Sequence, residues 1–413
     1  LYRAEADGQG KGPYRARLAA ILIAQLREQP EALNAKGKGK SVAALYRRAL
    51  TDLPPEQAQQ RYEAALLLDR AYQAQGDHAA RAALLATLLK AGYDDKTQRD
   101  LRLYQAQVYK DWGKALLEQG DLEGAQVQLQ RGLDLSAEAD WRQRYEVAAL
   151  LSRVELERQQ YTDLVLLNEA LLPEIEDPAL AGQVRHFLGQ VYVQWGKAAE
   201  AADNPKSARI RYEYALDYLP DSDWQRRLAA TTGLGKSLQQ EGRVGDAAAA
   251  YEAVLPQVQD PAVKQQYQLY LGRLYAEKLR DRDKAGFWFK AADRGGKDPL
   301  SLEAGYLWAD QQLAAERGDA ALTRLQELAA RGIGGTRWEV PIHYRMAVLL
   351  HQRKELKAAL AHYRLVAGVQ GAEVRKLHPR FIEQSQQQVR RIESFLQAGG
   401  GQGDVAVPSV RPD

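Results

Sequence analysis

The 413-residue sequence contains no cysteine and a single methionine, Met346. The lack of cysteine excludes disulfide bonds, thiolate zinc sites, iron–sulfur clusters and cysteine nucleophiles. A chain of this length without cysteine favours an exported bacterial protein, so we expect a periplasmic or extracellular location. Because residue 1 is leucine, we expect the sequence to start after a processed or removed segment.

The sequence also lacks a strong charge imbalance and a long apolar run. The 57 Lys and Arg residues and 54 Asp and Glu residues leave a net charge of +3, which does not favour nucleic acid as a partner. The positive excess is local, since residues 1–50 carry ten Lys and Arg but four Asp and Glu. The apolar run Leu18–Ala24 is far shorter than the ~20 residues that span a membrane. We therefore expect neither a nucleic-acid partner nor a transmembrane segment.

Motifs for catalysis, cofactors and metals are missing as well. The six histidines form no HExxH pattern, and Gly235-Lys236-Ser237-Leu238 lacks the second glycine of a nucleophile elbow. The stretch "NAKGKGKS", residues 34–41, ends like a phosphate-binding loop, but Asn34 stands where that loop needs its first glycine. We interpret it as a basic turn before a helix that has Ser41 as its N-cap. The sequence predicts no enzyme activity, no cofactor and no metal.

What the sequence does contain is repetition. Residues 108–114, VYKDWGK, recur 83 positions later as residues 191–197, VYVQWGK. The same offset relates LGQVY at 188–192 to LGRLY at 271–275. Such self-similarity indicates a repeat architecture.

Helical segments alternate with short breakers along most of the chain. Apolar residues recur at i, i+3, i+4 and i+7, and strand patterns are nearly absent. The breakers that we interpret as helix ends and new helix starts are 75–77, 119–121, 203–205, 241–243 and 317–319. We predict an all-α fold of about nine hairpins, at 13–52, 55–91, 95–135, 138–173, 178–219, 222–258, 260–294, 299–332 and 338–368, followed by a capping helix at 371–397.

The pattern Leu234-Gly235-x2-Leu238-x3-Gly242-x4-Ala247-x3-Tyr251 resembles a tetratricopeptide repeat (TPR), and weaker copies cover roughly residues 40–370. Residues near 271–297 resemble the related Sel1-like repeat. The resemblance implies a right-handed superhelical solenoid whose concave groove binds a protein segment. It also implies a small residue that lets the second helix approach, with Trp and Tyr at helical spacing in the core. The first helices near 100–119 and 181–202 look about two turns too long, so either Gly189 or Gly196 fits the motif in the second of them.

The resemblance further places the residue after the small position in the groove, where it would be a cation in five hairpins. A ladder of cations would suit an acidic or carboxylate-terminated peptide. The alternative is that these long side chains only cover the groove wall, with Glu118, Glu200 and Glu277 partly neutralising them. The five residues are Arg70, Lys114, Lys197, Lys236 and Arg273.

The composition divides the chain into an N-terminal arm at 1–12, the helical repeats at 13–397 and a Gly/Val/Pro-rich tail at 398–413. The main hypothesis is a non-enzymatic scaffold of the bacterial cell envelope or exterior that binds a partner peptide or helix. The alternative is a filament subunit that forms a homopolymer, joined head to tail through its terminal tails. In that alternative the tail docks in the groove of the next copy through Val405, Val407, Val410 and Asp413.

Overall fold

A computed structural model describes residues 17, 19–21, 23–24, 39–53, 57–137, 139–398 and 405–408. The regular structure in these ranges is helical, and no strand occurs among them. From residue 39 onward the helices are α1 Gly39–Asp52, α2 Ala58–Gln75, α3 His78–Leu89, α4 Asp95–Glu118, α5 Leu122–Leu135, α6 Trp141–Glu157, α7 Tyr161–Leu171, α8 Pro178–Ala201, α9 Pro205–Tyr218, α10 Trp224–Gln240, α11 Val244–Val254, α12 Pro261–Arg273, α13 Arg282–Ala292, α14 Pro299–Ala314, α15 Gly318–Ala330, α16 Glu339–Gln352, α17 Leu356–Ala367, α18 Ala372–Leu377 and α19 Pro379–Gln397.

From α2 to α17 the helices follow one another as antiparallel hairpins. Short turns join the two helices of a hairpin, except that the π-helix Leu274–Leu279 stands between α12 and the turn before α13. Helices that are neighbours in sequence pack together from α2 to α7 and from α9 to α17, and α8 packs on α9 through Gly196 and Tyr212. These hairpins match eight of the predicted ones, which confirms the all-α helical-repeat fold. Helix α1 is the second helix of the first predicted hairpin, whose first helix falls largely outside the described residues.

The chain divides between Val191 and Tyr192, inside α8, into two compact units. The first unit buries apolar residues of α1–α7, with Leu85 and Leu129 fully enclosed. The second unit has one cluster around Tyr251 and Phe289 and another around α16 and α17. Each unit therefore has a core of its own.

The turn inside each of these hairpins has one residue in the left-handed backbone region, with φ between 53° and 81°. The second helix of the hairpin begins two residues after the left-handed residue. The residue between them closes the turn, because its N–H donates to a carbonyl near the end of the first helix. For example, the N–H of Arg243 donates to the carbonyl of Leu238 at 2.8 Å. This is the Schellman geometry of a helix C-terminus. The left-handed residues are Gly76, Gly120, Gln159, Asp203, Gly242, Arg280, Glu316 and Lys354.

Two of the predicted breakers are corrected by this pattern. At 203–205 the left-handed residue is Asp203, and Asn204 is instead the N-cap of α9, accepting from the N–H of Ser207 at 3.0 Å. At 317–319 the left-handed residue is Glu316, and Gly318 is the first residue of α15. The hydrogen bonds of the turn fix the left-handed position, so a nearby glycine or asparagine does not have to occupy it.

Two further helix boundaries differ from the prediction. Helix α1 begins at Gly39, so Ser41 lies in the first helical turn and is not the N-cap. The first N–H groups of a helix have no intrahelical acceptor, so the helix extends to Gly39 without the loss of a backbone hydrogen bond. The predicted single capping helix at 371–397 is broken into α18 and α19 at His378, where Pro379 follows. Proline has no N–H and restricts the residue before it, so the helix stops and restarts there.

The prediction that the first helices near 100–119 and 181–202 are unusually long is confirmed. Helices α4 and α8 each contain 24 residues, whereas the other first helices of hairpins contain 13 to 18. The shortest of these, α12, continues as the π-helix Leu274–Leu279. Within each of them the repeated tyrosine and tryptophan stack on one another. Tyr109 and Trp112 lie 6.3 Å apart at 11°, and Tyr192 and Trp195 lie 6.0 Å apart at 15°. The sequence repeat is therefore also a repeat of local structure.

The small residue of the motif does let the second helix approach. A Cβ atom added at Gly196 would lie 2.7 Å from the ring of Tyr212, and one added at Gly272 would lie 2.4 Å from the ring of Phe289. Gly113 meets Leu129 in the same way, at 2.5 Å. These contacts identify Gly196 as the glycine against the second helix of its hairpin. They are the packing that the TPR resemblance implies.

Candidate functional site

All five predicted groove cations lie on first helices of hairpins and are exposed. Arg70 on α2 and Lys114 on α4 belong to the first unit. Lys197 on α8, Lys236 on α10 and Arg273 on α12 belong to the second unit. Their exposure agrees with both interpretations, namely that they bind an acidic ligand or that they only cover the groove surface.

Two of these cations pair with carboxylates of a neighbouring first helix. Lys236 contacts Glu200 of α8, which also accepts a hydrogen bond from the hydroxyl of Tyr212 at 3.0 Å. The ammonium of Lys236 holds the pKa of Glu200 below its usual range. Arg273 contacts Glu303 of α14. These pairs show that, within the second unit, successive first helices share one face.

That pairing reduces the positive charge of the predicted ladder at two positions. Glu303 also accepts from Arg337 at 2.8 Å, so it lies between two guanidinium groups. Glu200 is one of the three carboxylates expected to act in this way. The face is therefore a mixed surface of cations and carboxylates at these two positions.

A cleft of about 750 Å³ opens on this face between α10 and α12. We call it the α10–α12 cleft. It lies wholly within the second unit and contains one of the five predicted cations, Lys236. Its lining residues are Thr232, Lys236, Gln239, Gln240, Tyr251, Gln266, Tyr267 and Tyr270.

Three tyrosines form the floor of the cleft. Tyr251, on the second helix α11, is 3% exposed and lies 5.7 Å from Tyr267 and 5.2 Å from Tyr270 between ring centroids. Burial raises the pKa of Tyr251, with the neighbouring phenols adding to the effect, so it stays a neutral phenol. The rings give the cleft a rigid, largely apolar base with hydroxyl groups at its edge.

Hydrogen bonds between α10 and α12 hold these rings in place. The amide of Gln239 donates to the hydroxyl of Tyr270 at 2.9 Å and to the carbonyl of Gly235 at 3.1 Å. The hydroxyls of Thr232 and Tyr267 lie 2.9 Å apart. Cross-helix bonds of this kind make the cleft preformed, which lowers the ordering cost of binding.

Tyr267 and Tyr270 were not among the predicted site residues. Trp and Tyr at helical spacing were predicted to lie in the core, and both of these tyrosines pack against the core around Tyr251 and Phe289. Both are half-buried, so each also forms part of the cleft surface. Tyr267 and Tyr270 are three residues apart on α12, with Gln266 beside them. The sequence feature that indicates a binding surface here is the group of aromatic and amide residues on α12, a first helix of a hairpin.

The predicted tail residues are only partly described. Val405 packs against the core around α16 and α17 of its own chain, and Val407 is 43% exposed. Val410 and Asp413 lie outside the described residues. Docking of the tail in the groove of another copy stays a prediction.

The histidines of the described ranges do not assemble a metal site. His343 and His362 place their Nδ1 atoms 3.2 Å apart, and burial lowers the pKa of both rings. A third His, Asp or Glu close enough to complete a metal site is not found among the described residues. Over the same residues, no helix is both long and apolar enough to cross a membrane.

No family model matches this sequence, and no curated protein matches it. Among solved structures, the chain is similar to pilF of Pseudomonas aeruginosa, with 18% identity over 52% of this chain and 94% of that one and a TM-score of 0.30. It is similar to the TPR domain of P58(IPK), with 14% identity over 92% and 99% and a TM-score of 0.25. It is also similar to a tetratricopeptide repeat protein of Parabacteroides merdae, with 10% identity over 68% and 98% and a TM-score of 0.28.

The fold type is identified by the contacts within this chain. Tandem hairpins, one left-handed turn residue in each hairpin, and glycines of first helices packed against side chains of second helices are the features that the TPR resemblance implied. The fold is a TPR-like array of helical hairpins, as the sequence predicts.

Proposed function

We propose that this chain is a non-enzymatic scaffold that binds a segment of another protein in the α10–α12 cleft. The observation that supports the proposal is the combination of three clustered tyrosines, three glutamines and one lysine in a preformed cleft of about 750 Å³. Binding sites of this size are mostly apolar, with a few placed polar groups that orient the ligand.

Each kind of lining residue has a separate role in this proposal. An apolar side chain of the ligand packs on Tyr267 and Tyr270. The exposed amides of Gln240 and Gln266 offer both donors and acceptors to a peptide backbone. Lys236 has three N–H donors, and its contact with Glu200 leaves others for a carboxylate of the ligand.

The ligand is therefore an extended or helical segment that carries an aromatic or aliphatic residue next to an acidic residue or a terminal carboxylate. Because Glu200 and Glu303 already pair with two of the cations, charge adds to selectivity and apolar contact supplies most of the affinity. The affinity consequently falls with salt only modestly.

We test this with a random peptide library displayed on phage, selected on the full chain and in parallel on the double variant Lys236→Glu, Tyr270→Ala. Selection on the unmodified chain should enrich peptides that combine acidic with aromatic or aliphatic residues, and the double variant should not enrich them. The proposal is wrong if the same sequences are enriched on both proteins. Enrichment of basic peptides would contradict the role of Lys236.

The location that we propose is the bacterial cell envelope or exterior, supported by the absence of cysteine from 413 residues. Detection of the endogenous protein in periplasmic or extracellular fractions, with a cytosolic marker as control, is the expected result. Recovery with the cytosolic marker would contradict the proposal.

A second candidate function is the head-to-tail filament. Its support is that residues 405–408 contact the last hairpin of their own chain, a contact that the same segment of another copy would make in a filament. Light scattering and negative-stain images of the purified chain should then show long assemblies that deletion of residues 398–413 abolishes. Assemblies that persist after the deletion would exclude the tail as the connector.

A further inference from the structure

A second cavity, independent of the α10–α12 cleft, lies where α16, α17 and α19 come together. We call it the tail site. Its volume is about 390 Å³, and it is bordered by helix residues and by the tail segment 405–408 itself. The helix and turn residues are His351, Gln352, Lys354, Leu356 and Phe395.

The tail segment is seated in this site by one apolar and one polar contact. The side chain of Val405 packs against the core formed by α16 and α17. The carbonyl oxygen of Val405 lies 3.1 Å from Nε2 of His351, a distance at which the ring N–H donates to it.

His351 is buried in the core, and its Nε2 atom faces the carbonyl of Val405. It is 3% exposed, and its ring meets Tyr363 edge to face at a centroid distance of 6.2 Å. Burial lowers the pKa of His351, so the ring is neutral near pH 7 and has one N–H. A buried donor that lost its acceptor would cost free energy, so His351 requires a carbonyl or similar acceptor at this place.

The segment does not fill the space that it borders. Val407 lines the cavity but is 43% exposed, and Ala406 between the two valines is exposed as well. Leu356 and Phe395, which also line the cavity, are half-buried. A segment with a larger apolar side chain in place of Val407 would make contacts that the resident segment lacks.

We propose that the tail site is a receptor for a short extended apolar peptide, and that residues 405–408 of the same chain are its resident ligand. They occupy it in cis and thereby close it to similar segments of other proteins. Residues 399–404 connect α19 to this segment, and a covalent connection this short keeps the local concentration of the segment in the ~mM range. A competing peptide must exceed that concentration or bind more tightly.

The test uses the full chain and a labelled peptide with the sequence of residues 402–413. In the variant Val405→Asp, Val407→Asp the tail no longer fits an apolar site, so the receptor is open. Fluorescence anisotropy should show the peptide binding to this variant at least about tenfold more tightly than to the unmodified chain, which competes with its own tail. Equal affinity for both proteins, or no binding to either, would overturn the proposal.

Three controls make the result specific. A peptide with the same Val405→Asp change should not bind the open variant. A peptide with Val407→Leu should bind it more tightly, because it fills the remaining space. Adding His351→Leu to the open variant should weaken binding severalfold while its circular dichroism stays unchanged; unaltered affinity would remove the histidine from the site.

Size-exclusion chromatography with light scattering decides between cis and trans occupancy. The unmodified chain should remain a monomer over the concentrations of the assay. A dimer that the double valine variant dissociates would show that the segment serves a second copy, and would contradict occupancy in cis.

Discussion

The ring of Tyr251 lies directly against the backbone of Gly235, and a Cβ atom at Gly235 would come within 2.6 Å of Cε2 of that ring. Gly235 is on α10 and Tyr251 on α11, so this contact sets the distance between the two helices of the hairpin. It also places Tyr251 as the floor of the α10–α12 cleft. Packing of the hairpin and geometry of the site therefore depend on one glycine.

Replacing Gly235 by alanine should destabilise the second unit by about 1–3 kcal/mol, because the new methyl group overlaps the ring and forces it to shift. Urea denaturation followed by circular dichroism measures the change. Gly245, on α11, is a matched control because a Cβ there meets no atom within 4 Å. Gly245→Ala should leave stability unchanged or raise it, by up to about 1 kcal/mol. Equal effects of both changes would refute the packing role of Gly235.

The non-glycine left-handed residues predict a gain in stability. Gln159 has φ 57° and Glu316 has φ 59°, and an L-residue in this region costs about 1–2 kcal/mol. Gln159→Gly should therefore stabilise the chain by about 0.5–1 kcal/mol after the extra flexibility of glycine in the unfolded chain is subtracted. The reverse change, Gly242→Ala, should destabilise by a similar or larger amount. Thermal melts of both variants check the signs, and a loss in both would contradict the turn assignment.

Glu155 predicts a pH dependence of stability. The side chain is 4% exposed, and burial raises its pKa to about 7, with the charge of Asp163 adding to the effect. Its Oε2 atom has no hydrogen-bond partner among the described residues. A carboxyl group with a raised pKa in the folded state stabilises the fold while it is protonated. That contribution is fully present below the ordinary pKa near 4.5 and is lost as the pH rises to about 7.

The change Glu155→Gln should remove this dependence. At pH 8 the variant should be more stable than the unmodified chain by up to about 3 kcal/mol, and at pH 4.5 the two should be nearly equal. Urea unfolding at both pH values measures the difference. Glu157, an exposed residue on the same helix, is the control, and Glu157→Gln should change nothing at either pH. A difference at pH 4.5 as large as at pH 8 would exclude titration as the cause.

Asp293 predicts a large loss at a buried ionic contact. Its side chain is fully buried, accepts from Arg331 at 2.8 Å and contacts Arg324. Asp293→Asn should destabilise by about 1–3 kcal/mol, because the half-buried guanidinium of Arg331 loses its counter-charge, whereas that of Arg324 keeps Glu327. The control is Glu373→Gln, which removes an exposed partner of Lys376 and should cost less than about 0.5 kcal/mol. Similar midpoints for both variants in chemical denaturation would contradict this.

The hairpins could be predicted from the sequence because their determinants are local. Glycine at positions such as 76, 120 and 242 ends one helix, and Asp77 or Asp121 caps the next by accepting from a backbone N–H. The motif glycines at 113, 196, 235 and 272 also met the side chains that the TPR resemblance implied. At these turn glycines and capping aspartates the residue type favours the observed backbone, so the local pattern is sufficient there.

Other features depend on neighbours in space, and the sequence pattern did not contain them. Gln159, Arg280 and Lys354 adopt left-handed backbone because the hydrogen bonds that close each turn require it, whatever the residue type. Tyr267 and Tyr270 belong to a cleft because α12 lies beside α10, where their hydrogen-bond partners Thr232 and Gln239 are 35 and 31 residues away in sequence. The pairs Lys236–Glu200 and Arg273–Glu303 likewise join different hairpins. The cation ladder was predicted from one position within each first helix, whereas the charge of the face also depends on carboxylates of adjacent helices.

The most direct test of the α10–α12 cleft is the affinity of a library-selected peptide for single aromatic variants, measured by isothermal titration calorimetry. Tyr267→Ala removes a ring of the cleft, whereas Phe287→Ala removes an aromatic side chain on α13 that is 64% exposed and does not line the cleft. Tyr267→Phe keeps the ring and removes only the hydroxyl near Thr232. We predict at least a tenfold loss of affinity for Tyr267→Ala, a small loss for Tyr267→Phe and none for Phe287→Ala. Unchanged affinity for Tyr267→Ala, or an equal loss for Phe287→Ala, would contradict a peptide-binding role for the cleft.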